Sequence, residues 1–342
     1  MKEYRNLLWI VIILGLLPCQ TRARPNIGGA SLSQAKIVPD FSLILEYSYV
    51  YRRDEAEQET VPPEFNLENM ELAFGASLDP FFALTTVFQM GDGEIDIEEI
   101  CIETRCLPMG FQIKFGQFLS SFGHFNSQHD HLWIFSDQPN IYNTFFGDSN
   151  LNEKGVQVNW TAPLDVLLQV GLEILTSQNE VSFSGSPSGL DLLVYFLKSE
   201  FESGSISMVG GLSYAVGTHE CRLYGADLAF KYVIDSQRYI SLQSEYLFRE
   251  RDKESCSGGY ADLIWRLARR WRMGFRYDWC LYHQSYRRVS AMLEFCPSRF
   301  SWIRLQYSRD LPAEPDLEGL GIDQLSVQLT IELNANSPWK KT

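Results

Sequence analysis

Beyond residue 25 the chain has no apolar run long enough to cross a membrane as a helix, and no helical period of useful length. Whatever crosses a membrane must then be a closed barrel, because only helices and closed barrels satisfy their own backbone groups in lipid. None of the seven cysteines forms a C-x-x-C pair, which argues against a structural zinc site built on thiols. Charge is scarce and mostly of one sign. Charged residues make up 21% of the chain, and 43 acidic side chains against 29 basic ones give a formal charge of −14, so no nucleic-acid partner is expected.

What is present begins with Lys2 and Arg5 ahead of an apolar run from Leu7 to Leu17, then Pro18 and a short polar stretch. This reads as a secretory signal peptide. A cut after Ala23 leaves a mature charge of −14 − 2 = −16, since Lys2, Arg5 and Arg22 depart with Glu3; a cut near Cys19 is the alternative. The organisation expected is a signal peptide over 1–23, a short periplasmic leader over 24–39, a transmembrane barrel over 40–333 and a C-terminal tail over 334–342.

The barrel rests on period-two alternation. Phe41, Leu43, Leu45, Tyr47, Tyr49 and Tyr51 share one face against Ser42, Glu46, Ser48 and Arg52. Trp271, Met273, Phe275, Tyr277 and Trp279 alternate with Arg272, Gly274, Arg276 and Asp278. The strands expected are 40–53, 66–78, 81–90, 94–106, 111–119, 154–162, 164–175, 190–201, 206–216, 221–233, 239–251, 259–268, 271–283, 286–296, 300–309 and 321–333. About 16 strands is an even number, as bacterial barrels require. Every second connection is tight and the others are mostly longer and more polar, the asymmetry of periplasmic turns and outer loops. The fold class expected is therefore an all-β, closed antiparallel transmembrane β-barrel in the bacterial outer membrane, in contact with its lipids.

One connection, 120–153, is far longer than ordinary loops and is the third on the outer side. It holds three of the five histidines among many aromatics. Phe122, Asn126, Gln128, Trp133 and Asp137 are candidates for a loop folded inward to constrict the lumen. His129 and His131 with Asp130 supply ligand types that zinc, copper or iron accept, while the surrounding aromatics support plain packing with hydrogen-bonded histidines. No other cofactor is expected. Arg249, Arg251, Arg266, Arg272, Arg276, Arg288 and Arg304 fall on inward positions, and Glu46, Glu71, Glu103, Glu173 and Glu332 fall inward on other strands. Opposed charged walls would line a pore and set its selectivity; the same groups could instead pair and fill the lumen. Cys221 and Cys256, near the outer ends of neighbouring hairpins, could bond or simply pack.

No enzyme is expected. A G-x-S-x-G elbow is absent, and the His-x-Ser-Asn-Gly string of outer-membrane phospholipases is approached only at His124-Phe125-Asn126, without its serine.

The long loop also carries F-G-x-x-N-x-Q-H-x-H-x-W-x-F-x-D-x-P, met by Phe122, Gly123, Asn126, Gln128, His129, His131, Trp133, Phe135, Asp137 and Pro139. With Leu151-Asn152-Glu153-Lys154-Gly155-Val156-Gln157 and Leu223-Tyr224-Gly225-Ala226-Asp227-Leu228, this resembles small outer-membrane proteins related to the phosphate-selective porin O/P type. Many of these are labelled zinc-regulated outer-membrane receptors. The resemblance, over roughly residues 40–333, implies a porin-like barrel, while residues 24–39 leave no room for the plug of an energised receptor. The function expected is passive or weakly selective passage of small solutes or ions, with a relation to zinc as its sharper form. By analogy with 16-stranded porins the chain would form a homotrimer. The competing expectation is a non-conducting, adhesive surface barrel that displays its outer loops.

Overall fold

A computed structural model describes residues 40–54, 60–91, 94–179, 181–183, 189–217, 221–251, 254–281, 286–312 and 321–334. The signal peptide, the leader, Cys19 and nearly all of the tail lie outside these. The strands are β1 (Asp40–Asp54), β2 (Thr60–Ser77), β3 (Phe82–Gly91), β4 (Glu94–Thr104), β5 (Phe111–Leu119), β6 (Asn152–Thr161), β7 (Leu167–Leu175), β8 (Leu192–Ser203), β9 (Ile206–Val216), β10 (Arg222–Val233), β11 (Tyr239–Arg251), β12 (Glu254–Ala268), β13 (Trp271–Leu281), β14 (Tyr286–Ser298), β15 (Ser301–Pro312) and β16 (Ile322–Asn334). Each pairs antiparallel with its sequence neighbours, and β16 returns to β1, Leu45 opposite Ile331, so the sheet has no edge.

The alternation read from the sequence is the inside and outside of this wall. Ser42, Ile44, Glu46 and Ser48 are buried in the lumen while Phe41 and Tyr49 face outward. Leu197, Leu212, Leu228, Leu263, Phe275, Leu293 and Leu305 form an exposed apolar belt. Aromatics border it at both ends. Tyr195, Tyr214, Tyr224 and Phe248 run in register across β8 to β11, with neighbouring ring centroids 5.1–6.1 Å apart, on the rim from which the long loop rises. Trp265, Trp271 and Phe295 sit on the rim of tight turns, the last two 4.7 Å apart. An apolar band between aromatic girdles is the lipid contact of an outer-membrane barrel, and the chain is a protein of the bacterial outer membrane.

Two strand starts differ from expectation. β12 begins at Glu254, five residues earlier than expected, with β11 running to Arg251, and β2 begins at Thr60, six residues earlier, so both outer connections are shorter than expected; β3 and β4 end and begin at Gly91 and Glu94, within a residue of expectation. Serines and glycines in 254–259 hid the alternation, because such small residues carry no hydrophobic signal. The asymmetry therefore lies chiefly in the connections 120–151 and 176–191. The first, the third on its side as expected, also contains a helix that no periodicity announced, α1 (Asn140–Phe146). Seven residues are too few to show a period. Ile141, Tyr142, Phe145 and Phe146 are all buried, so tertiary packing rather than propensity holds it.

Cys221 and Cys256 do not meet. β11 lies between the strands that carry or follow them, and Cys256 instead places its Sγ 3.8 Å from that of Cys280 on β13. None of the six cysteines in the described residues is in a disulfide.

Leu212, at the middle of β9 and 58% exposed, reports on the lipid face. Leu212→Arg is expected to lower folding stability in phospholipid vesicles by about 2–4 kcal/mol, the cost of a cation at the bilayer midplane. Reversible denaturant titration measures it, and an unchanged midpoint would contradict the assigned lipid belt.

Candidate functional site

The connection 120–151 turns inward and crosses the lumen, fastened to three arcs of wall. At its root, Asn126 is fully buried and bonds only to the loop: Nδ2 donates to the carbonyls of Ser120 (2.8 Å) and Leu151 (3.1 Å), and Oδ1 accepts from the Leu151 amide at 2.8 Å. It is a clasp that closes the neck, not a lumen-facing group. Glu173 on β7 accepts from Ser120 Oγ and from the Ser121 amide. The first arc then centres on Glu245 of β11. Its carboxylate takes the amides of His124 (3.3 Å) and Phe125 (2.6 Å) and the hydroxyls of Tyr142 (2.6 Å) and Tyr260 (2.8 Å).

Gly123 makes that cradle accessible. At φ +69° its backbone sits where a Cβ would lie 2.6 Å from both Glu245 Oε2 and the Tyr142 hydroxyl. Below it Phe122, Phe125, Ile141, Tyr142, Phe145 and Phe146 pack with Phe118, Leu223, Leu247 and Tyr260 into a core inside the barrel. Phe122 is thus wholly buried. Trp133, half-buried, stacks on Phe125 at 5.0 Å and donates its indole N–H to the Gln128 carbonyl, which is the contribution of Gln128 to the loop's shape.

The second arc is basic. Asp137 receives Arg276 (2.6 Å), Arg288 (3.1 Å) and Gln306 (2.7 Å). Burial pushes its carboxyl up, but the two guanidiniums more than offset this and hold it below the ordinary aspartate value. Arg304 donates to the Trp133 carbonyl at 2.9 Å. The inward arginines expected to line a pore wall are here engaged with acids or with loop carbonyls. Arg276 also meets Asp278, Arg288 meets Asp310, Arg272 and Arg304 meet Glu294, and Arg249 and Arg251 reach Ser182 and Val181 in the 176–191 connection. Glu103, expected inward, accepts from Gln112 at 3.2 Å.

The third arc is acidic. His131 Nδ1 lies 2.7 Å from Glu71 on β2, and His129 lies between two glutamates of β4, Nδ1 3.3 Å from Glu98 and Nε2 3.3 Å from Glu99. Adjacent residues of a strand should face opposite ways. They do not here because the β3–β4 register slips between Val87/Glu99 and Phe88/Ile97, leaving Glu98 as the extra residue of a bulge that re-aims its side chain inward. Asp130, grouped with the two histidines on sequence grounds, instead accepts from Gln89 at 3.3 Å. Burial first, then Glu98 and Glu46, raise its carboxyl to about 8. The structure therefore brings His129 and His131 together, rings 5.9 Å apart, and adds Glu71, Glu98 and Glu99 to them. Glu46, also on this arc, accepts from Thr330 at 3.1 Å.

Space remains around the loop. A cavity of about 490 Å³ on the outer side is lined by Asp96, Glu98, Asp130 and Asp148 with Gln89 and Gln117. One of about 250 Å³ beneath it is lined by Glu99, Glu103, Lys114 and His129. Glu98 lines the outer cavity and its neighbours His129 and Glu99 line the inner one, so the three adjoin both. A third cavity, about 290 Å³, opens at the tight-turn end among Arg266, Arg270, Arg272, Trp271, Trp302 and Trp133.

No protein-family model matches the chain. Solved structures with a similar fold are outer-membrane barrels. OmpT of Vibrio cholerae, solved as a loop-deletion mutant and also in a trimer form, aligns in the former with a TM-score of 0.62 at 10% identity, over 87% of this chain and 99% of its own. The outer membrane channel DcaP of Acinetobacter baumannii gives 0.61 at 9% identity, over 88% and 99%. Salmonella typhi OmpF, in complex with daunomycin, gives 0.60 at 10%, over 86% and 97%. In sequence, an uncharacterized protein of Aquifex aeolicus (strain VF5) is 35% identical over an alignment of 371 residues, spanning 86% of this chain and 78% of the relative. The chain belongs to the same family as that Aquifex aeolicus protein, and its fold is that of the outer-membrane porin barrels.

Proposed function

We propose that the protein is a narrow, loop-gated porin-like channel for small cations and polar solutes rather than an enzyme. The observation that carries this is the pair of cavities along β4, the outer lined by Glu98 and Asp130 and the inner by Glu99 and His129, whose side chains Glu98, His129 and Glu99 touch one another between them. Side chains change rotamer on the picosecond-to-nanosecond scale when exposed and more slowly when packed, so movement of these three would widen the way between the cavities without moving the wall. The outer cavity presents Asp96, Glu98 and Asp148, and closely spaced carboxylates at a pore mouth favour cations. The fold's channel relatives and the sequence resemblance to porin O/P-type proteins support the same reading, and the trimer form of Vibrio cholerae OmpT supports a homotrimer.

A second reading is favoured by one observation, the bonding of the loop to every arc of the wall, which suits a closed barrel that only displays its rim.

Planar-bilayer recordings of the refolded protein separate the two. Small steady channels with a cation preference are expected, and Asp96→Asn/Asp148→Asn should move the reversal potential in a salt gradient toward zero. Silence from protein shown to be folded and inserted would sink the channel reading.

The Asp137 anchor generates a second expectation. Asp137→Asn removes the charge that two arginines hold, which should loosen the loop and raise single-channel conductance. Wild type should follow only in acid. Because the folded-state value is depressed, the anchoring is complete above the ordinary aspartate value near ~4 and is lost as pH falls through the lower one. A conductance that rises between pH 7 and 5 in wild type but not in Asp137→Asn would contradict this assignment.

A further inference from the structure

We infer that Glu71, Glu98 and His129 form a binding site for a divalent transition-metal ion, which pins the inserted loop to β2 and β4 beside the two cavities. One ligand atom from each lies within 4.8 Å of the others. The His129 Nδ1 to Glu98 distance of 3.3 Å already matches the edge of a tetrahedron whose bonds are roughly 2.0–2.2 Å long. Small rotations of the Glu71 carboxyl would close the remaining gap.

Four features distinguish this from a chance group of acids. Glu71 is 1% exposed and holds one oxygen on His131, while its other oxygen, Oε1, is buried with no hydrogen-bond partner. An unsatisfied buried carboxylate oxygen costs free energy that a cation would recover. Next, His129 Nε2 faces Glu99 at 3.3 Å. A metal on Nδ1 leaves the other ring nitrogen to donate to a carboxylate, the arrangement that fixes tautomer and raises ligand basicity in histidine metal sites. His131 does the same for Glu71 from the opposite side. The local charge also suits the ion: Glu71, Glu98 and Glu99 converge here with Glu46 and Asp130 nearby, against two imidazoles. Finally, the bulge in β4 brings a second consecutive glutamate, Glu98, to His129.

Three protein ligands leave one position open toward the outer cavity that Glu98 lines, for solvent or a passing anion. One imidazole with two carboxylates suits zinc, iron or manganese better than calcium, which takes six to eight oxygens. The metal site stands without the channel reading. Only its effect on passage depends on that reading, since an ion here would hold Glu98 and His129 in place.

The test uses the full-length protein, refolded in detergent, untagged and freed of metal. Co²⁺ titration followed by visible absorption is expected to give one tetrahedral site per chain, displaced by equimolar Zn²⁺ and not by excess Ca²⁺. Glu71→Gln and His129→Ala, shown to be folded by heat-modifiable migration on gels, should abolish the signal. Glu99→Gln should weaken binding by about 10–100-fold, the usual effect of losing an outer-shell partner. Asp130→Asn should leave it within about twofold, as its carboxyl bonds Gln89 instead. No absorption from folded wild type, or a signal indifferent to both Glu71→Gln and His129→Ala, would overturn the site. Bilayer recordings keep the two proposals apart: a protein that conducts but binds no metal loses the site and keeps the channel, and one that binds metal but never conducts keeps the site and loses the channel.

Discussion

A ring of 16 strands encloses more space than the side chains of its own wall can fill, because barrel diameter grows with strand number. Everything distinctive about this protein answers that surplus. The wall needs no help to be stable in lipid, since its ladder closes on itself and its outer face is apolar. The lumen, by contrast, contains buried carboxylates and guanidiniums that water alone would have to solvate in a confined space. The segment 120–151 supplies further partners from its backbone amides, the Tyr142 hydroxyl, Asp137 and two histidines.

Both kinds of packing therefore occur in one domain. Outside, hydrophobic side chains meet lipid and alternate with period two. Inside, a small aromatic core around α1 sits on a polar floor, more like the interior of a soluble protein than a water-filled bore. That core explains why the loop keeps one shape. Phe125 alone touches Trp133, Tyr142 and Tyr260 with ring centroids 4.8–6.0 Å apart, and such contacts favour a particular mutual orientation.

The architecture was legible in the sequence because alternation and tight turns are local signals. Fourteen residues from Asp40 already show which face meets lipid, and most strand ends fall within one or two residues of those expected. Where small residues replace aliphatic ones, as at Ser255, Ser257, Gly258 and Gly259, the signal fades and the strand start moved. The inward position of the long loop was legible from its aromatics, but its bonding was not. Nothing in the text of β4 says that Glu98 and Glu99 face the same way, since a bulge is a property of pairing with β3. Asp130 was grouped with the histidines for the opposite reason, because nearness in sequence suggested nearness in space. Glu245 was not singled out as a site: one of two glutamates on β11, it becomes central only once Gly123 brings two amides and a tyrosine to it. A glycine within an otherwise aromatic string was the one available hint.

The loop's threefold fastening has a historical consequence. Asp137 answers Arg276 and Arg288, the amides beyond Gly123 answer Glu245, and the histidines answer Glu71, Glu98 and Glu99, on strands that lie far apart in the chain. A lineage that shortened this loop would leave Arg276 and Arg288 with only their wall partners Asp278 and Asp310, and Glu71, Glu98 and Glu99 without their histidines, a shifted charge balance across an emptied bore. Change in the loop and change in those wall positions must then travel together. Across descendants of this gene, residues separated by more than a hundred positions should covary as tightly as neighbours on adjoining strands.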